Sequence, residues 1–242
     1  METRPSGPNE KQQPPGAGRT AFIPGPRLLG WVDRFAASHG AVQEEPNDGG
    51  TLLRAADGTL LRAADGTLLR AADGAVALLR APWPVDGRPG KGTTTVERLA
   101  SLASQERRLG VILVRRGGYA VGVVSGGKVS ASKSGSRYVQ SRSAAGGSSQ
   151  QRFARRRENQ ANALTEAVAG YAAGVFAGHS IEYLVLGGDA ALSAAVLEEK
   201  ALKEYASRTR LAFLAVADPN ATVLRRAAAD ACAVRIQVTD PL

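Results

Sequence analysis

RYVQSRSAAGGSSQQRFARRR, residues 137–157, joins a strand pattern to a long helix pattern through a loop of small and polar residues. Gly146 and Gly147 free the backbone from side-chain steric limits, so the loop tip can take unusual dihedrals and approach another surface closely. Ser148, Ser149, Gln150 and Gln151 then supply neutral hydrogen-bonding groups, and Arg152, Arg155, Arg156 and Arg157 follow. A neutral tip on a basic stem has the chemistry of a probe pushed into a polyanion, in which cations hold phosphates and amides act locally. The same residues also fit a plain connector, because Gly/Ser/Gln loops often precede helices and arginine runs are commonly solvated faces.

Before the loop, GVILVRR, YAVGVVS, KVSASKS and RYVQ are separated by GG, GG and GS, which predicts short antiparallel strands joined by tight turns. After it, residues 150–177 carry Leu164, Val168, Tyr171 and Val175 at helical spacing, the stripe of a long amphipathic helix. Cations in the first turns of that helix oppose its dipole, so helix stability does not explain the arginine cluster. Next come EYLVLGGD, an Ala-rich helix over 189–206, LAFLAVAD, a helix over 220–231 and AVRIQVTD. Apolar strands alternating with helices predict an α/β fold with a partly parallel, mixed sheet.

Residues 1–20 are rich in Pro, Gly and polar groups and read as a disordered tail. RLLGWVDRFAASHG repeats Leu28, Trp31, Val32 and Phe35 at three- and four-residue spacing, a helix whose apolar stripe belongs to a core. TLLRAADG then occurs three times over residues 51–74, followed by the degenerate AVALLRAPWPV. The recurrent Asp-Gly is a hairpin-turn signal between six-residue segments, so a short β-meander is one outcome and a tandem duplication that lengthens a hairpin or surface loop is the other. Identical copies suit a packed core poorly, because different depths demand different residues, so the repeat reads as a tolerated insertion. One acid per copy, Asp57, Asp65 or Asp73, is thin support for a calcium site. A Gly/Pro-rich linker over 86–92 precedes the helix TTTVERLASLASQERR, so the expected organisation is a tail over 1–20, a small helix and β-hairpin region over 21–92, and the main domain over 93–242.

The formal net charge is +9, and residues 107–160 hold twelve Lys or Arg against one acid, Glu158. The excess is thus gathered around the glycine loop, as a nucleic-acid footprint would be. One cysteine, Cys232, excludes an intrachain disulfide and a cysteine-cluster metal site and suits a reducing cytoplasm. The first residues hold no apolar signal region, and no apolar run is long enough to span a bilayer, so no membrane role is expected.

GGSSQQRFARRR resembles GGQSxxRFARxR, the pattern of the catalytic loop and following helix of eukaryotic and archaeal class I peptide-release factors. The match runs through Gly146, Gly147, Ser149, Arg152, Phe153, Ala154, Arg155 and Arg157. Over residues 20–242, the repeat apart, the chain resembles the bacterial, chiefly actinobacterial, VLRF group of release-factor-like peptidyl-tRNA hydrolases, which also carry an RYVQ-type strand. The resemblance implies a release-factor-like catalytic domain with an RNase-H-like mixed sheet and hydrolysis of peptidyl-tRNA on stalled ribosomes. It implies partnership with rRNA of the large subunit and peptidyl-tRNA, a monomer off the ribosome, and no cofactor. Release factors place a glutamine directly after the two glycines, where this chain has Ser148, so the water-positioning role falls to Gln150 or Gln151. Gly146 and Gly147 would allow close approach, and Arg137, Arg142, Arg152, Arg155, Arg156 and Arg157 would track phosphates.

Two rivals stand beside this reading. A non-catalytic ribosome-binding protein would share the charge pattern. A metal-dependent nuclease would use Asp189 and Asp218, which both follow apolar strands, although helix capping accounts for those positions too. His39 and His179 lie far apart, and neither a nucleophile elbow nor a zinc-binding His pair is present.

Overall fold

The computed structural model describes residues 19–47, 53–54, 60–61, 66–136 and 149–240. Twelve strands are present among them: β1 (Arg19–Pro24), β2 (Val42–Asn47), β3 (Leu53–Arg54), β4 (Leu60–Leu61), β5 (Gly66–Ala71), β6 (Val76–Arg80), β7 (Arg108–Arg115), β8 (Gly118–Ser125), β9 (Lys128–Ser136), β10 (Tyr183–Gly188), β11 (Thr209–Arg210) and β12 (Ala233–Thr239). Five α-helices accompany them: α1 (Leu28–His39), α2 (Thr95–Ala103), α3 (Ser149–Phe176), α4 (Ala190–Glu198) and α5 (Ala221–Ala231).

The strands build two five-stranded sheets, ordered β11-β10-β7-β8-β9 and β1-β12-β6-β5-β2, while β3 and β4 form a separate short pair. In the first sheet β10 runs parallel to β7 and β11, and β7, β8 and β9 are antiparallel neighbours. The α/β class with a mixed sheet is therefore the observed fold. Both faces of its central strands are buried, which explains why β7 and β8 read as near-continuous apolar runs. On one face Ile112, Val114, Val121 and Leu184 pack with Leu164, Val168, Ala172 and Phe176 of α3. On the other, Leu109, Val111, Leu113 and Val185 pack with the second sheet and with α1, α2 and α5.

The N-terminal helix forms as expected, with Leu28 and Phe35 in the core and Trp31 and Val32 packed against it. α2 starts at a capping box, in which Thr94 Oγ1 accepts from Glu97 N and the Glu97 carboxylate accepts from Thr94 N. The Thr93 hydroxyl first, then the amides of Thr94 and Thr93, hold the Glu97 carboxyl below its ordinary range. This cap is therefore intact above the ordinary glutamate range and is lost as pH falls through the lowered value.

Three expectations are corrected. The third TLLRAADG copy is a strand of the second sheet, with Thr67 and Leu69 buried, because β5 pairs on one side with β2 and on the other with the degenerate copy in β6. AVRIQVTD does not extend the parallel sheet. As β12 it lies antiparallel between β1 and β6, so residues 21–92 and the C-terminal strand share one sheet. LAFLAVAD is not a regular strand: Leu211 N bonds Leu184 O and Leu214 N bonds Leu186 O, so three residue steps oppose two on β10. The surplus residue is absorbed as in a bulge, and Phe213 is left 41% exposed.

The Ala-rich helix is also shorter than its composition suggests. It ends at Glu198, Glu199 is extended, and a 3-10 turn over Lys200–Leu202 follows. That break aims Leu202 and Tyr205 at the core beneath α3, where Tyr205 meets Phe176 edge-on at 5.2 Å. Gly188 closes β10 with φ +98, and a Cβ there would lie 2.2 Å from Val114 O. Gly188→Ala should cost roughly 1–3 kcal/mol in backbone strain before the clash is counted. Urea denaturation would measure it, and an unchanged midpoint would contradict this account.

Candidate nucleic-acid interface

One edge of the mixed sheet gathers the ends that matter. Gly118 pairs with both Arg115 and Ser136, and Val114 pairs with Gly188. β9 therefore leaves the sheet beside the β7–β8 turn, which carries exposed Arg115 and Arg116. Arg115 Nη1 donates to the carbonyls of Val216, at 3.4 Å, and Ala217, at 3.2 Å, so it braces the chain ahead of α5. Arg116 is exposed beside it.

Residues 137–148, with Arg137, Arg142, Gly146 and Gly147, lie outside the described residues. The chain is described again at Ser149, already helical, so Gln150, Gln151 and Arg152 occupy the first turn of α3. Arg155, Arg156 and Arg157 fall within the next two turns, and the Arg155 side chain is exposed. The first amides of a helix have no intrahelical acceptor and carry the positive end of its dipole, which favours a bound anion.

α3 has 28 residues, which at the standard rise makes it about 42 Å long. Among its residues with described side chains, Leu164 is the first that is buried. The segment before Leu164 is about 22 Å of helix that presents no buried side chain among those described. Its far end is fixed, because Phe176 packs so closely on β7 that a Cβ on Gly110 would sit 2.8 Å from the ring.

A column of side chains braces the helix near the point where β9 ends. Tyr119 of β8 stacks on Tyr171 of α3 at 5.1 Å, and Lys133 Nζ of β9 lies 3.8 Å from the Tyr171 ring centroid. Gly135 makes room for this arrangement, since a Cβ there would lie 2.8 Å from the Tyr119 hydroxyl. Sequence reasoning placed Tyr171 in the core stripe and missed the column. The signal available was Lys133 and Gly135 sharing one face of a strand by period-two alternation.

Of the two aspartates after the apolar strands, Asp189 caps a helix and Asp218 does not. Asp189 caps α4, accepting from Leu192 N at 3.1 Å, while its own amide donates to Val114 O. Asp218 is exposed, and Asn220 caps α5 by accepting from Thr222 N and Val223 N. His39 meets Asp73 at 2.9 Å at the end of α1, and His179 lies in the turn after α3. Among the described residues, no group of three His, Cys, Asp or Glu side chains is placed to hold a metal ion. No helix among them is long and apolar enough to cross a membrane.

The sequence model of the acVLRF1 family, described as the Actinobacteria/chloroflexi VLRF1 release factor, matches residues 107–237, more than half of the 242. No curated protein matches the chain. The crystal structure of an archaeal translation termination factor, aRF1, is similar with a TM-score of 0.35 at 12% identity, covering 85% of this chain and 62% of that one. A structure described only as an archaeal protein gives a TM-score of 0.28 at 13% identity, covering 89% of this chain and 64% of that one. The chain thus spans less than two thirds of the length of either.

Proposed function

Because the chain belongs to the Actinobacteria/chloroflexi VLRF1 release-factor family, we propose that it is a peptidyl-tRNA hydrolase of the cytoplasm. It acts at the large ribosomal subunit and frees nascent peptides from stalled ribosomes. The reaction adds water across the ester between peptide and tRNA. The water oxygen bonds to the carbonyl carbon, the bond to the ribose oxygen breaks, and that oxygen takes up the proton. The protein must hold a water in line with the carbonyl and supply a dipole for the developing negative charge. A glutamine amide does this without adding a charge of its own, and Gln150 or Gln151 is assigned the role.

The observation that carries the reading is the arrangement of α3. The glutamines lie at the leading end of α3, which begins about 22 Å before the first buried residue among those with described side chains. A stalk of that length lets the tip reach into an enclosed RNA site while the sheet stays outside. Arg152, Arg155, Arg156 and Arg157 neutralise phosphates along it, Gly146 and Gly147 admit the tip closely, and Arg137 and Arg142 extend the phosphate track. The protein works as a monomer and without a cofactor.

The deciding assay measures release of labelled peptide from peptidyl-tRNA on isolated large subunits, for the wild type and for Gln150→Ala/Gln151→Ala. Binding should survive in the double variant and release should be lost. Ser148, standing where release factors have glutamine, favours a second reading in which the protein only anchors on rRNA. Wild-type binding without release would establish that reading instead. In either case Arg155→Ala should flatten the dependence of log affinity on log salt by about 1 unit.

A further inference from the structure

Across the mixed sheet from α3, a cavity of about 320 Å³ opens between the two sheets. Its inner wall is apolar and fixed: Val185 and Leu211 are buried, and Trp83 is pinned because its Nε1 donates to Leu102 O at 3.0 Å. Its rim is aromatic, with Phe22 39% exposed and Phe213 41% exposed. These are two of the three large apolar side chains exposed among the described residues, and both stand at the same opening.

The polar part of the lining is built against its own stability. Register pairs Phe22 with Arg235 and Arg235 with Arg80, so two arginines face each other directly across β12 and β6. Like charges placed opposite in an antiparallel pair repel. Arg210 contributes a third guanidinium, and Asp230 is the one carboxylate in the lining. Asp230 already has Arg226 Nε 3.8 Å away on α5. Arg235 Nε is buried and has no hydrogen-bond partner. A planar guanidinium with an unspent Nε donor beside a second guanidinium matches a carboxylate or phosphate oxygen pair.

We propose that this cavity binds a small amphipathic anion, a ring-bearing or short-alkyl body seated on Val185, Leu211 and Trp83 with an acidic head held by Arg80 and Arg235. The volume is at the lower end of small-molecule pockets, which suits one ring and its head group. The site lies on the opposite face of the sheet from α3 and does not depend on the hydrolase reading.

The probe is anthranilate, a one-ring aromatic carboxylate whose fluorescence changes on burial, titrated into the full-length protein. Phenylacetate, phenyl phosphate and benzyl alcohol serve as competitors. One saturable site should appear, displaced by at least one of the two acids at a concentration tenfold or more below that needed for benzyl alcohol. Which acid displaces better identifies the head group. Arg80→Gln and Arg235→Gln should each weaken probe binding about tenfold while leaving the melting temperature unchanged or higher, since each removes a like-charge contact. Phe213→Ala should weaken it as well. Displacement by benzyl alcohol as good as by the acids, or probe affinity within twofold of wild type in both arginine variants, would overturn the proposal. A lowered melting temperature in both arginine variants would also overturn it, by giving the guanidiniums a structural role.

Discussion

Single alanine substitutions at Gln150 and Gln151 should separate, one leaving peptide release within about twofold of wild type and the other lowering it by about 10²–10³-fold, the loss typical of one missing dipole at a developing oxyanion. Both residues lie in the first turn of α3, and neighbours on an α-helix are set about 100° apart around its axis. A carbonyl presented from one side therefore engages one of them. Subunit binding should be equal in both variants if, as proposed, phosphate contacts from the arginines carry the affinity. Single-turnover release on isolated large subunits, with binding measured alongside by sedimentation, is the check. Equal and small losses from both substitutions would mean that the water is held elsewhere.

The largest effect on stability is expected at Arg107, whose side chain is fully buried. Its Nη2 donates to Asp86 Oδ1 at 3.0 Å and to Gln105 Oε1 at 2.7 Å, and its Nη1 approaches Glu182 Oε2 at 3.5 Å. Asp86 also accepts from the Tyr183 hydroxyl, and Arg88 reaches Glu182. Burial, and then the bond to Asp86, push the Tyr183 hydroxyl up to about 12, so it remains a donor at neutral pH. Arg107→Ala would leave two partly buried carboxylates without their central cation and open a void, at a cost of about 3–5 kcal/mol. Because Arg107 Nε has no partner, Arg107→Met, which fills the volume, should recover part of that loss. Urea titrations of both variants would test this, and a loss below about 1 kcal/mol for alanine would show that Arg88 suffices to balance the acids.

What could be read from the chain follows from how local each signal is. The β7–β8–β9 meander was legible because Gly-rich turns separate short apolar runs, and α3 because its stripe holds helical spacing. Family membership was legible in a few residues after Gly146. The middle position of β12 was not, since nothing in AVRIQVTD indicates pairing with residues more than a hundred and fifty positions earlier. The bulged course of residues 211–218 was hidden because LAFLAVAD is apolar throughout, and the extra residue shows only against β10. The Arg107 cluster was invisible for a related reason: Asp86 lies in a stretch that reads as a linker, yet it anchors that stretch to the starts of β7 and β10. Within the candidate interface, sequence offered the arginines as an expectation and missed the Lys133–Tyr171–Tyr119 column, which exists only once β8, β9 and α3 are packed.

The place of β12 has a consequence for biosynthesis. Among the described strands, β1 has β12 as its one neighbour in the sheet, paired from Arg19 with Val238 to Pro24 with Ala233. Contacts this distant in the chain form slowly and cannot form until their later partner exists. While residues 233–239 are still inside the exit tunnel, β1 lacks the strand it zips against. The second sheet can close only after those residues have cleared the tunnel, so it is completed later than the β7–β8–β9 meander, whose strands are neighbours in the chain.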